Sequence, residues 1–397
     1  MKRLFPLPKQ EGIFLIAVLI CCIVLYFIPP PPHPAAQTGK RVRAEVITVD
    51  NTAVMQHGLV RFGSQKLTVR MLDGFFKGQV FHASNELRAQ LELDKEFEPG
   101  DTAIVILQPS DRPENAVLIA QDHSRSGWGL LLFGGFCLLL CVFGGWTGTK
   151  ALFSFVFSCL VIWKAVIPLA LRGWPASWTI FGSVCLLTAV IVYLVAGVTR
   201  KGFAAFAGSG AGILAGLGMA HLFGHLMKIN GATMPYVQAL LYSGYEFLNL
   251  QDIFIGAMIL ASSGAVMDLA MDIAAGVEEV AHHNPSLPAK ELICSGIRIG
   301  RSVVGTMTTT LLLAYSGGYI TLLMMFAAQG TSPWDFLNST LVAAETVKTL
   351  IGSFSLVLVA PQRKEVWELD TEELQQNLRK LGVRIHLPEI GYNLSHN

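Results

Sequence analysis

The chain has 397 residues, of which 52% are hydrophobic and 14% are charged, and its mean hydropathy is +0.51. Soluble domains carry about 25% charged residues, so this composition predicts a membrane protein and excludes a protein made only of soluble domains. The net charge of +1, with no long basic run, gives no sign of nucleic-acid binding. Six of the seven cysteines lie in apolar runs, which argues against a disulfide framework.

The chain begins with a basic stretch followed by an apolar run. Lys2, Arg3 and Lys9 precede the run Ile13–Ile28. This order suits either a signal peptide or a first membrane span. The run is long for a signal peptide, so we favour an uncleaved first transmembrane helix and assign residues 1–30 to it and to a cytoplasmic N-terminus.

Residues 37–122 differ in kind, because their short β-branched segments partly alternate between apolar and polar residues. These segments are Val42–Val49, Lys66–Met71, Gln79–His82 and Thr102–Leu107. Turn signals such as Asp73-Gly74 separate them. Short strands at close spacing predict a small all-β barrel of OB or SH3 type. We assign residues 31–127 to this domain.

From Trp128 onward, apolar runs recur at close to the roughly 20 residues that span a bilayer. They cover residues 128–145, 151–171, 178–198, 203–226, 253–280, 299–327 and 336–361. With the first helix they predict an α-helical polytopic membrane bundle of about eight spans over residues 128–361. Residues 362–397 are predicted to form a tail with a short amphipathic helix.

Basic residues in the short loops predict the orientation, because cytoplasmic loops carry an excess of Lys and Arg. With the N-terminus inside, the β domain lies outside and both termini are cytoplasmic. The predicted inner loops and helix ends then hold Lys150, Arg200, Lys201, Lys290, Arg298, Arg301, Arg363 and Lys364. The outer loops hold only Arg172 and Lys228.

The sixth predicted span contains two acidic residues in an otherwise apolar run. Asp268 and Asp272 share one helical stripe with Gly264, Gly276 and Glu279. An ionisable group at the centre of a membrane helix costs about 2.5–3.5 kcal/mol, so such residues usually face a protein interior or a water-filled cavity. The pair could bind a cation or share a proton. The alternative is a buried ion pair that fixes packing, or an Asp272 that reaches water at the interface.

The last two spans also carry polar groups. Arg301, Thr306, Thr308 and Thr309 belong to the seventh span, and Glu345 and Lys348 to the eighth. The hydroxyl groups could line a site or simply bond to carbonyls of the preceding turn. Glu345 and Lys348 could form the opposite wall of the site or a structural pair. The helical rise, counted from the ends of the apolar runs, puts these residues at a depth similar to that of Asp268. The sequence therefore predicts a single polar layer.

His221 and His225 form an i, i+4 pair at the outer end of the fifth predicted span. This spacing can hold a metal ion between two imidazoles, but the sequence offers no adjacent third ligand. An interfacial polar pair is the alternative. The sequence shows no signature of a metalloprotease, a serine hydrolase or a phosphate-binding loop, so we expect no enzyme, and no cofactor is indicated beyond the cation considered above.

Several motifs of the chain resemble the YibE/F-like family of multi-pass membrane proteins. The resemblance is carried by Gly264-Ala265-Val266-Met267-Asp268, Asn284-Pro285, Glu291-Leu292, Gly300-Arg301, Gly305-Thr306-Met307-Thr308, Leu311–Tyr315, Glu345 and Gly352, and in the soluble segment by Gly74, Lys77-Gly78, Asn85 and Gly100-Asp101. Ser302 and Thr309 stand where the family often has Asp and Asn, and Lys348 stands where Arg is common. The resemblance implies the architecture of a bacterial inner-membrane protein and no particular activity.

Two functional hypotheses follow. The first is a permease or ion-coupled transporter that binds a cation (H⁺, Na⁺ or a divalent ion) at Asp268 and Asp272 and moves a small solute or ion across the lipid bilayer. The second is a non-transporting sensor or assembly partner whose β domain binds a ligand or a protein. Homo-oligomerisation is left open by both hypotheses.

Overall fold

The structure is a computed structural model that describes residues 9–28, 39–91, 93–107 and 118–359. Its contacts divide the chain into two compact units. One unit, residues 31–149, contains a β-barrel and the first part of a long helix. The other contains the N-terminal helix and the helices after residue 150. The predicted tail at residues 362–397 lies outside the described residues.

Five strands form a closed barrel in the order β1-β2-β3-β5-β4. The strands are β1 (Lys40–His57), β2 (Val60–Met71), β3 (Val80–Arg88), β4 (Thr102–Leu107) and β5 (Leu118–His123). Neighbouring strands are antiparallel except β3 and β5, which run parallel. The predicted small all-β barrel is confirmed, and five strands in a closed barrel favour the OB type.

Alternation along the strands separates the barrel interior from its surface. In β1, Val42, Ala44 and Val46 are buried, whereas Arg43 and Glu45 between them are not. This two-residue period is what a strand with one wet face requires. The hydrophobic effect therefore closes the barrel around its apolar side chains.

A buried polar network holds the loop before β4 against the barrel. Gln65 is 2% exposed, and its Oε1 accepts hydrogen bonds from the Phe97 amide (3.1 Å) and from Asn85 Nδ2 (2.7 Å). Gln65 Nε2 donates to Asn51 Oδ1 at 2.8 Å. These bonds satisfy the buried amides. The Phe97 ring, 1% exposed, can therefore fill the core.

The rest of the described chain is helical. The helices are α1 (Lys9–Phe27), α2 (Ser126–Val161), α3 (Ile167–Leu171), α4 (Ala176–Ala196), α5 (Arg200–Leu226), α6 (Val237–Tyr242), α7 (Leu250–His283), α8 (Ala289–Gly318), α9 (Ile320–Ala328), α10 (Pro333–Asn338) and α11 (Thr340–Val359). A π-helical turn, Ile162–Val166, joins α2 to α3.

Among the described residues, five helical segments are long and apolar enough to cross a membrane. The count is six if the bent pair α8 and α9 is one span, and the apolar part of α1, Phe14–Phe27, is shorter. A helical membrane bundle is therefore plausible from the structure. The predicted number of eight spans is not confirmed.

The longest apolar helical segment, Ser126–Leu171, is broken at a glycine. Gly145 has φ 53° and ψ −127°, which is not helical. A Cβ atom at Gly148 would overlap the carbonyl oxygen of Leu140, eight residues earlier. Residues eight apart in a straight helix are separated by about 12 Å of rise, so the chain bends sharply at Gly145.

Helix α7 is the centre of the second unit and packs against α4, α5, α8 and α11. The close approaches use glycines. A Cβ at Gly212 of α5 would come within 3.0 Å of the Ser355 carbonyl oxygen of α11 and 3.1 Å of Val266 of α7. A Cβ at Gly216 would overlap the Ser355 hydroxyl. Small residues thus let three membrane-length helices meet.

Helix α8 ends at Gly317-Gly318, and the chain bends by 64° into α9 at Tyr319. Helix α10 is separated from α11 by Ser339, whose backbone is extended (φ −62°, ψ 131°). The apolar run predicted at residues 336–361 is therefore not one continuous helix. This difference changes the depth of the residues in α11.

Candidate functional site

Helix α7 has one core face and one exposed face. Val266, Leu269 and Ala270 are buried against other helices. Asp268 and Asp272 are exposed on the opposite face. Within the ranges that the structure describes, neither carboxylate makes a hydrogen bond or an ion pair with another side chain. The two carboxylates are thus directed away from the core of the unit, whereas Gly276 of the same predicted stripe packs against α8.

Helix α8 returns antiparallel to α7 and packs along it. A Cβ at Gly276 would lie 2.7 Å from Ile299 Cδ1, and one at Gly296 would lie 3.0 Å from Val277. These contacts fix the register of the two helices. Thr306 follows Ile299 by about 10 Å of helical rise, and Asp268 precedes Gly276 by about 12 Å, so the two residues lie at similar depth.

The same contacts identify the residues of α8 that share a side with the carboxylates. Ser302, Thr306 and Thr310 follow Ile299 at i+3, i+7 and i+11, which is one side of a helix. Asp272 and Asp268 precede Gly276 at i−4 and i−8. We call these five residues the α7–α8 polar face. All five are exposed.

Thr309 borders this stripe, because it follows Thr306 at i+3 and Ser302 at i+7, and it is exposed. Arg301 is exposed at another angle of α8, and Thr308 is half-buried. The structure therefore groups Thr306 and Thr309 on the side of the carboxylates but not Arg301 and Thr308. Ser302 and Thr310 were missed by the sequence reasoning, because the seam between the two helices was not known.

The threonine hydroxyls of α8 use their protons within the helix. Thr306 Oγ1 donates to the Val303 carbonyl (2.9 Å), Thr309 Oγ1 to Gly305 (3.2 Å) and Thr310 Oγ1 to Thr306 (3.0 Å). This is the alternative that the sequence left open for these residues. Each hydroxyl oxygen keeps lone pairs that can accept or coordinate. Together with two carboxylates, they form an oxygen-only set of the kind that hard cations prefer.

Glu345 and Lys348 form a second polar group on α11. Lys348 Nζ lies 2.7 Å from Glu345 Oε1 and 6.0 Å from the centre of the Phe254 ring of α7. Phe254 precedes Asp268 by 14 residues, which is about 21 Å of helix. The structure therefore contains two polar layers, where the sequence predicted one. The break at Ser339 contributes to this difference, because it places Lys348 only about 12 Å into α11.

His221 and His225 are exposed on α5. His221 Nδ1 lies 3.0 Å from the Leu217 carbonyl oxygen of its own helix. The described part of the chain contains no group of three or more His, Cys, Asp or Glu residues that could hold a metal ion. The proposed metal pair thus gains no third ligand there.

The helical part of the chain matches a known protein family. No curated protein and no solved structure matches the sequence. Residues 132–364 match the family described as YibE/F-like protein, and this match includes α7, α8 and α11. It begins after the barrel, so the resemblance expected for the soluble segment stays a prediction. The match covers more than half of the 397 residues, and the chain therefore belongs to the YibE/F-like family of proteins.

Proposed function

We propose that the protein is a cation- or proton-coupled transporter of a bacterial inner membrane, and that its cargo passes along the α7–α8 polar face. The observation that carries this proposal is the exposure of Asp268 and Asp272 on a helix long and apolar enough to span a bilayer. Oxygen ligands on both helices of the seam give that face a chemistry suited to a cation.

Contact with lipid tails would be energetically unfavourable for this face. Each ionised aspartate at the centre of a span costs about 2.5–3.5 kcal/mol on the gentlest scale, so two of them facing hydrocarbon would strongly oppose insertion. Water in a cavity lowers that cost, and a second copy of the chain could close the cavity from outside. In the transporter hypothesis, this water lines the path along which the ion moves.

A broken helix supports the same proposal. The 64° bend between α8 and α9 follows the residues of the polar face on the same helix. Transporter sites near the bilayer midplane are often built from such discontinuous helices, whose freed backbone groups line a cavity. Gly317-Gly318 end α8 before α9 begins, so the chain has the discontinuity that such sites use.

We also propose the full topology. The eight spans are α1, the two parts of α2 on either side of Gly145, α4, α5, α7, the bent pair α8–α9 and α11. With the N-terminus cytoplasmic, the barrel is extracytoplasmic and Lys201, Lys290 and Arg298 belong to the cytoplasmic side, as the distribution of basic residues favours.

The test is ion flux in vesicles reconstituted with the full chain. Proton entry is followed with an entrapped pH-sensitive dye, and sodium entry with a radioactive tracer, under an imposed membrane potential. We expect Asp268→Asn to reduce the flux of the active ion by about tenfold or more, the effect of losing ~1.4 kcal/mol of binding. Glu279→Gln is the control, because Glu279 lies near the end of the same helix and is 73% exposed.

A wild-type protein that folds and moves neither ion would contradict the proposal. The sensor hypothesis would then be favoured. It has its own support in the barrel, where the turn residues Phe75 and Leu59 are 92% and 89% exposed and could contact a partner.

A further inference from the structure

A cavity of about 410 Å³ lies where α4 and α7 begin. Its walls come from the turn before α4 and from the segment before α7, and they include the rings of Trp174, Trp178 and Phe247. Asp252 also lines the cavity, and it precedes Asp268 by 16 residues, about 24 Å of helix. Small-molecule sites have volumes of about 300–1,000 Å³. The cavity is therefore a candidate site of its own, separate from the α7–α8 polar face.

Close backbone approaches hold the walls of this cavity together. A Cβ at Gly256 of α7 would lie 3.3 Å from the Ala176 carbonyl oxygen at the start of α4. Gly173, in the turn before α4, has φ 84°, and a Cβ there would lie 3.2 Å from Phe247 Cε2. Only glycine adopts this backbone angle readily and also leaves room for the ring. The cavity is thus formed by the packing of the two helix starts.

Asp252 is the one ionisable residue among the described residues that line the cavity. Its Oδ2 accepts a hydrogen bond from the Ser177 amide of α4 at 3.2 Å, and its own amide donates to Asn249 Oδ1 at 3.2 Å. Within the described ranges, Oδ1 of Asp252 accepts no hydrogen bond and the carboxylate forms no ion pair. Arg172 is exposed in the turn before α4 but does not line the cavity. The cavity therefore presents a negative charge with an available oxygen.

This combination selects one class of ligand. Calcium takes six to eight oxygen ligands and magnesium six, whereas the side chains here offer the oxygens of Asp252 and Asn249 alone. An anion would be repelled by the carboxylate, and a neutral apolar molecule would cover that charge without pairing it. An organic ammonium ion pairs with the carboxylate and is attracted to aromatic rings through their π-systems. Its alkyl groups suit the apolar walls.

We propose that the cavity binds an organic ammonium group, with its charge on Asp252 and its alkyl groups among Trp174, Trp178 and Phe247. Such a group belongs either to a free amine or quaternary solute or to the headgroup of an ethanolamine lipid. In the topology proposed above, the starts of α4 and α7 lie on the extracytoplasmic side. Only this assignment of the side rests on the proposed function.

The test is isothermal titration calorimetry of the full chain, purified in detergent, with tetramethylammonium chloride. Sodium chloride at the same ionic strength is the blank. Asp252→Asn keeps an acceptor for the Ser177 amide but removes the charge, so we expect the affinity to fall by about tenfold or more. Trp174→Leu and Trp178→Leu should each weaken binding by about twofold to fivefold. Trp163→Leu is the matched control, because Trp163 is 67% exposed and does not line the cavity.

Tryptophans are also common at membrane interfaces, where they anchor helices without binding a ligand. If Trp174 has only that role, Trp174→Leu and Trp163→Leu will affect binding equally, which would overturn the inference. Heat no greater than that of the sodium chloride blank, or full affinity in Asp252→Asn, would overturn it too. Thermal unfolding separates loss of the site from loss of the fold, since tetramethylammonium should raise the Tm of the wild type but not that of a folded Asp252→Asn.

Competition against bound tetramethylammonium identifies the source of the ammonium group. Displacement by ethanolamine hydrochloride supports a free solute, and displacement by phosphatidylethanolamine alone supports a lipid headgroup. Binding is measured without transport, so it is independent of the flux experiment. Tetramethylammonium binding that depends on Asp252, in a protein that moves neither protons nor sodium, would support this site and contradict the transporter proposal. Flux without such binding would do the reverse.

Discussion

The barrel and the helical unit place polar and apolar residues in opposite ways. Inside the barrel, Val46, Val69 and Val105 are 0% exposed, whereas its surface carries pairs such as Arg43 with Asp73. In the helical unit, leucines cover the outside, and buried positions include hydroxyl residues. Leu214 of α5 is 53% exposed, and Ser209 of the same helix is 0% exposed.

This difference shows which solvent each part has. Water drives apolar side chains inward, so the barrel needs an apolar core. Lipid tails give no such drive between helices, so the helices associate through close packing and local hydrogen bonds. Glycines show the same contrast. Gly74 and Gly78 serve barrel turns with positive φ, whereas Gly212 and Gly216 serve helix contacts.

The largest effect should come from placing a charge on the outside of the helical unit, compared with placing the same charge on the surface of the barrel. Leu214→Lys places a charge on the outside of α5, where we expect a loss of about 2.5–3.5 kcal/mol in insertion. Leu59→Lys makes the same change on the barrel, where Leu59 is 89% exposed and water solvates the ammonium group. The measurement is the yield of membrane-integrated, folded protein. Equal yields for both variants would mean that α5 does not face lipid.

A smaller effect should come from the glycine contacts. Gly212→Leu forces a side chain against Val359 and the Ser355 backbone, and such overpacking costs about 1–3 kcal/mol. Gly218→Leu is the matched control, since no atom lies within 4 Å of a Cβ at that position of the same helix. Thermal unfolding in detergent compares the two variants. A control as destabilised as Gly212→Leu would assign the loss to helix propensity or lipid contact.

The smallest effect concerns the charged surface of the barrel. The hydrogen bond from Arg43 lowers the pKa of Asp73 in the folded protein. The pair therefore stabilises the fold at pH values above the pKa of an unfolded aspartate, about 3.9. This contribution is lost as the pH falls through the lower pKa of the folded state. Asp73→Asn should therefore weaken amide protection near β1 at pH 7 but not at the acid end of the transition. Hydrogen exchange of the full chain, compared at each pH with Glu86→Gln, measures this. A difference independent of pH would exclude the ion pair as its cause.

Much of the fold could be predicted because its signals are local. Alternation in Val42–Val49 predicted the strand, and long apolar runs predicted the helices. The break at Ser339 was missed, although Asn338, Ser339 and Thr340 are polar residues that favour helix ends, because the apolar residues before and after them suggested one continuous run. The sharp bend at Gly145 was predicted only as a loop, and its place followed from a backbone angle that only glycine adopts readily.

The candidate site was predicted in part. Asp268 and Asp272 are informative in sequence, because charge in an apolar run has a large energetic cost. Their distance from Lys348 could not be predicted, because the depth of a residue in the membrane depends on where its helix begins. Ser302 and Thr310 depend on the register between α7 and α8, which the contact of Gly276 with Ile299 determines.

The bend at Gly145 has a consequence for biogenesis. Each crossing of the membrane reverses the side on which the next loop emerges. Whether the number of crossings before a loop is odd or even therefore decides its compartment. In the eight-span topology proposed above, a substitution that straightened the helix at Gly145 would remove one crossing, and every later loop would emerge on the opposite side. Basic residues such as Lys201 would then lie in the wrong compartment. In that topology the backbone of Gly145, with φ 53°, decides on which side all later loops emerge.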